Sequence, residues 1–124
     1  MMSSRDFQAV IDPALLAWVE AGADGSAAEP WPAFRERVLG ALRDLVGSLS
    51  SGETAAVCTS GGPIGAICAA LLGVPDTALV AFNRVTVNAA ITKLAVGRGG
   101  VTVVSINEHA HLDEAGGGEL LTYR

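Results

Sequence analysis

One stretch constrains this chain more than any other: Glu53 to Gly73, which reads as a buried strand, a tight glycine turn and a helix. Thr54 to Cys58 is a short run of small, apolar and β-branched residues without polar alternation, the pattern of a parallel-sheet strand covered on both faces. Ser60-Gly61-Gly62 breaks that pattern. Pro63 suits the first helical position, where its missing N–H costs nothing, and Ile64, Ile67, Cys68, Leu71 and Leu72 share one apolar face that closes at Gly73. The expected class is therefore α/β.

The turn falls at a helix N-terminus, where the first amides lack intrahelical partners and the dipole end is positive, while glycines admit a ligand close to the backbone. Ser60, Gly61 and Gly62 are accordingly the candidate anion site, with a phosphoryl group as the expected ligand and the Ser60 hydroxyl as an extra donor. Against this stands a plainer reading. Strand-turn-helix corners need glycine in any case, and most bind nothing.

The remaining composition narrows the classes. A chain of 124 residues suits a single domain, and with half of its residues hydrophobic it is globular rather than disordered. The net charge of −5, with Lys93 the only lysine, offers no basic patch, so nucleic acid and anionic membrane surfaces are not expected partners. Cys58 and Cys68 fall at apolar positions and read as core thiols, not as a disulfide framework. No apolar run reaches the roughly 20 residues of a membrane span, and Met-Met-Ser-Ser-Arg-Asp is no signal peptide, which makes the cytoplasm the default location.

Along the chain, Asp12-Pro13 reads as an N-cap and first helical residue, followed by Leu15, Leu16 and Val19 on a short helix ending near Gly22. Ala23 to Pro30 is a simple connection, too short to divide domains. From Pro32 to about Leu49, Phe34, Val38, Leu42, Leu45, Val46 and Leu49 recur at helical spacing, with Arg35, Glu36, Arg37, Arg43 and Asp44 mostly on the other face. Those charges read as a solvated face and receive no role. Asp76 to Arg84 is either a short helix capped by Asp76 or an irregular crossing. Thr86 to Val96 and Val101 to Ile106 form a hairpin around Gly97-Arg98-Gly99-Gly100, and the second strand delivers Asn107, Glu108, His109 and His111 into a loop. The Gly116-Gly117-Gly118 tail reads as mobile, ahead of an extended piece from Leu120 to Tyr123.

Two sharper chemistries have weak support. His109 and His111 beside Glu108 and Asp113 lack a fixed third ligand, so no metal is expected. A serine nucleophile elbow requires Gly-x-Ser-x-Gly, and Cys58 occupies the first glycine's place. Neither a P-loop nor a dinucleotide fingerprint fits Gly61-Gly62-Pro63-Ile64-Gly65, and no cofactor is called for.

Val57-Cys58-Thr59-Ser60-Gly61-Gly62, the helix to Gly73, Asn88-Ala89-Ala90-Ile91-Thr92-Lys93-Leu94 and Asn107-Glu108-His109-Ala110-His111-Leu112 together resemble the C-terminal part of the histidine phosphatase superfamily, the phosphoglycerate-mutase-like fold. The likeness covers roughly residues 30 to 112. It implies a sheet flanked by helices, here incomplete at its N-terminal strand, in one partial domain over 1–124. It also implies in-line phosphoryl transfer to the histidine of an N-terminal Arg-His-Gly motif, helped by two arginines, a second histidine and a carboxylic acid.

The departures carry as much weight. The sequence contains no Arg-His-Gly, and Ser60 stands where the second histidine would fall, so the catalytic residues are unknown. Serine can donate to a phosphate oxygen but cannot bring an imidazolium charge to the transferring group. His111 matches a position that closes the strand end, and Asn107 matches one that holds the loop. Without the Arg-His-Gly strand, the strand from Thr54 to Cys58 would present a flat apolar edge. The expectation is therefore a catalytically impaired domain that binds phosphate or a phosphomonoester, with a homodimer across that edge or a start lying further upstream. The alternatives are an active phosphatase or mutase whose nucleophile lies in a missing N-terminal segment or a partner chain, and a non-catalytic interaction module.

Overall fold

The computed structural model describes residues 2–123. Helix α1 spans Ser4–Ala21, α2 Trp31–Ser48, α3 Gly61–Leu72 and α4 Leu79–Val85; strands β1 (Ile91–Gly97) and β2 (Gly100–Glu108) follow, and α5 covers Ala110–Gly116. Short 3-10 turns precede α4 at Asp76–Ala78 and follow α1 and α5 at Gly22–Asp24 and Gly117–Glu119. No described helix is long and apolar enough to cross a membrane.

Helix α1 begins nine residues before the expected Pro13 start. Ser3 and Asp6 form a reciprocal capping box in which the Asp6 amide donates to the Ser3 hydroxyl oxygen at 3.1 Å, so the helix nucleates upstream and carries Pro13 inside it. Asp12 then lies inside the helix instead of at its N-cap, and its carboxylate accepts from Arg84 Nε at 2.9 Å, fastening α1 to α4. The helix ends at Gly22 with φ +58, as its glycine suggested.

The core lies where α1, α2, α3 and α4 meet. Val19, Trp31, Val38, Ala66 and Leu79 are buried there, with Leu15, Trp18, Phe34 and Ile67 packed around them. Trp18 and Trp31 meet edge to face with centroids 5.2 Å apart, and Phe34 lies 5.0 Å from Trp18. Both indoles satisfy their N–H groups: Trp18 donates to the Glu29 carbonyl and Trp31 to Asp76 Oδ2, each at 2.8 Å. Asp76 therefore caps nothing. It also accepts from Arg35 Nε at 3.3 Å, and so ties α2 to the turn before α4.

The hairpin forms as expected, antiparallel with Gly97 opposite Gly100, and is irregular near Lys93. Its first strand starts at Ile91, not Thr86. Ala89 turns the chain at φ +63, and the Val87 amide is taken by the Asn107 side chain, which removes both residues from a ladder. At the other end, the tail folds back: the Asn88 amide donates to the Thr122 carbonyl at 2.8 Å.

Two readings of the central stretch are overturned. Thr54 to Cys58 is neither a strand nor buried; every residue from 51 to 60 is exposed. The reason is the absence of a neighbour, since the only sheet among the described residues is the β1–β2 pair, and a lone segment with no partner leaves its amides and carbonyls to water. Cys58 is consequently an exposed thiol, while Cys68 is buried as expected.

Candidate functional site

Helix α3 starts at Gly61, with Ser60 as N-cap in an extended conformation (φ −106, ψ 175), so Pro63 is the third helical residue and not the first. That shift of register decides what Ser60 can do. An N-cap hydroxyl ordinarily accepts from the amide two or three residues on. Here the third residue is a proline without an N–H, and the Ser60 side chain makes no capping hydrogen bond. The Ser60 carbonyl accepts the Ile64 amide at 3.4 Å, which leaves the hydroxyl and the Gly61 and Gly62 amides as the polar groups of the turn.

The two glycines face different surroundings. Gly61 is buried, and a Cβ there would lie 3.5 Å from Asn83 Oδ1 and 3.9 Å from the Thr86 side chain. Gly62 is half-buried, its missing Cβ 3.6 Å from Phe34 Cζ on α2. Ser60 is exposed. Four segments thus meet at one end of the fold: the turn, the end of α4, the 86–87 link and, through Asn107, the end of β2.

Asn107 holds that end together. It adopts φ +58, and its Oδ1 accepts from the Val87 amide at 2.8 Å while its Nδ2 donates to the Val85 carbonyl at 2.7 Å. Both histidines lie beyond it and are committed to backbone: His109, the N-cap of α5, bonds the Asn107 carbonyl through Nδ1 at 2.7 Å, and His111 bonds the Ala89 carbonyl through Nε2 at 2.9 Å. A carbonyl only accepts, so each of these ring nitrogens carries its proton. His111 sits inside α5, not in a loop, and pins the turn before β1. No group of three or more potential metal ligands occurs among the described residues.

Five of the cationic side chains are engaged elsewhere. Arg35 pairs with Asp76, Arg37 with Glu29 at 2.8 Å, Arg43 with Glu36, Arg84 with Asp12 and Lys93 with Glu108 at 3.4 Å. These pairs also set the carboxylates: the Arg37 hydrogen bond holds Glu29 below its usual range, and the Ser105 hydroxyl does the same for Glu108. Burial pushes the Cys68 thiol up, which keeps it protonated and inert. An apolar groove of about 410 Å³ lies between α2, α3 and β2, lined by Leu39, Leu42, Val46, Leu71 and Val101, and includes none of the turn residues.

Sequence reading did not find Asn83, which is buried at 6 % exposure beside the turn, nor the Trp31–Asp76–Arg35 cluster. Neither had a local signal. Asn83 lies on a segment read as ambiguous, and Asp76 is separated from Trp31 by 45 positions.

No curated protein and no solved structure matches the chain. A family model does, over residues 2–109, which takes in helix α1 and the segments that carry the resemblance as far as His109. Fold, turn and motif order thus agree with a match covering most of the sequence, and the chain belongs to the histidine phosphatase superfamily (branch 1).

Proposed function

We propose that this domain binds phosphate or a phosphomonoester at Ser60, Gly61 and Gly62 and does not transfer the phosphoryl group. The observation that carries the binding half is the proline at the third position of α3, which leaves the Ser60 hydroxyl uncommitted beside two helix N-terminal amides. A tetrahedral oxyanion can accept from all three donors, while the helix dipole favours its charge.

What surrounds that turn supports the absence of turnover. Transfer needs a nucleophile and several positive charges on the equatorial oxygens. The sequence has no Arg-His-Gly, and serine replaces the histidine before Gly61-Gly62. Arg35, Arg37, Arg43 and Arg84 are each neutralised by a carboxylate.

Titration with inorganic phosphate, followed by calorimetry or phosphorus NMR, tests the reading, alongside release of nitrophenol from p-nitrophenyl phosphate. Wild-type protein should bind and not hydrolyse. Ser60→Asp should abolish binding by placing a carboxylate against the anion, without harm to the helix, because aspartate is a good N-cap. Absence of binding in wild type would leave the interaction-module reading. Turnover with an acid-labile phosphohistidine would establish the active phosphatase instead.

A further inference from the structure

Beyond β2 the chain returns twice to one place, the turn at Asn88 and Ala89. His111, on α5, donates from Nε2 to the Ala89 carbonyl at 2.9 Å. In the tail, the Thr122 carbonyl accepts the Asn88 amide at 2.8 Å and the Thr122 hydroxyl accepts Asn88 Nδ2 at 3.1 Å. No residue from 110 to 123 is buried, and Leu120 and Tyr123 are 43 % and 53 % exposed. Little covered apolar surface and exposed hydrogen bonds are the marks of a segment that opens by itself, without unfolding the core.

The place to which this segment returns is strained. Ala89 holds φ +63, a left-handed conformation in which its Cβ crowds the following carbonyl. Such a residue persists only where its surroundings over-determine it. Here they do so on both sides: Thr122 holds Asn88 before it, and His111 holds the Ala89 carbonyl itself. The Ala90 amide closes the turn onto the Val87 carbonyl at 3.2 Å.

The strained turn is continuous with the wall of the Ser60 site. Val87, two residues before Ala89, is buried at 2 % exposure with its amide on Asn107 Oδ1, and the Thr86 side chain lies 3.9 Å from where a Gly61 Cβ would stand. A change of backbone at Ala89 therefore acts on the link that flanks Gly61. We propose that residues 110–123 form a detachable strap that clamps Ala89 in its left-handed conformation, and that release of the strap relaxes Ala89 and loosens the 86–88 link beside Ser60, Gly61 and Gly62. A consequence for anion binding rests on the function proposed above; the clamp itself does not.

Amide hydrogen exchange of the full chain, followed by NMR, tests the clamp. In wild type the amides of 110–123 and those of Val87, Asn88 and Ala90 should exchange faster than the amides of α2 and α3, through an opening that leaves both helices intact. Asn88→Asp combined with Thr122→Asp sets two exposed carboxylates against each other and should speed exchange in both segments by about tenfold, with α2 unchanged. Asn88→Lys combined with Thr122→Asp should restore protection. Ala89→Gly removes the strain from the closed state and should slow exchange in both segments by about fivefold. Exchange of 110–123 only in step with α2 and α3, protection of Val87, Asn88 and Ala90 that survives the aspartate pair, or exchange in Ala89→Gly no slower than in wild type would each overturn the proposal. The readout is exchange without ligand, so failure here is separate from failure of phosphate binding at Ser60.

Discussion

At the scale of single residues, Asn107 does the most for the least volume. Its left-handed backbone is one that asparagine tolerates better than most side chains, and its amide closes two backbone bonds to the 85–87 link. Asn107→Ala should destabilise by about 2–3 kcal/mol, from two lost hydrogen bonds and a strained φ. Asn107→Gly should recover about 1 kcal/mol of that, because glycine keeps the backbone and loses only the side-chain bonds. Urea titration of the two variants separates the contributions. The sequence assigned Asn107 to holding a loop, but its partners, about twenty positions away, were not legible. Ser60 was legible as a turn residue. That its hydroxyl is released from capping depended on where the helix starts, and one residue of register decides that.

Among the elements, α3 carries the largest correction. The sequence placed its buried face on Ile64, Ile67, Cys68, Leu71 and Leu72, whereas the residues buried are Gly61, Gly65, Ala66, Cys68 and Ala69, so that Cys68 alone of that face is buried. The cause is close approach by α4: a Cβ at Gly65 would lie 2.8 Å from Leu79 Cδ1 and 3.3 Å from Phe82 Cβ. Small residues face the neighbouring helix, and the large ones lie half-covered or exposed along the sides. Gly65→Ala gains helix propensity but must displace the buried Leu79, so a net loss of about 1–3 kcal/mol is expected in thermal or urea unfolding. An increase in stability would show that α4 shifts freely and that the α3–α4 contact is loose.

For the whole molecule, stability rests on one helical core and on exposed polar links, which gives it a definite acid response. Asp6 is held low by the Ser3 hydroxyl, Glu29 by Arg37, Glu53 by the Ser50 amide and Glu108 by Ser105. A carboxylate whose pKa is lower folded than unfolded binds fewer protons in the folded state, so its contribution is complete above the unfolded value and lost as pH falls through the folded one. The urea midpoint should therefore stay level from neutral pH down to about 5 and decline below the ordinary glutamate value of 4.5. A midpoint that rises on acidification would contradict these links.

What the sequence determined by itself is local: the glycine that ends α3, the amphipathic α2, the hairpin around Gly97 to Gly100 and the motif order that identifies the superfamily. Each follows from spacing, turn chemistry or capping within a few residues. What only the tertiary structure decided is whether an apolar run finds a partner. Thr54 to Cys58 has the composition of a covered strand, but strands exist by pairing with a neighbour, and none of the described residues supplies one. The same physics released Asp12 and Asp76 from capping to bind Arg84 and Trp31, because a short carboxylate takes whichever donor the packing brings within reach.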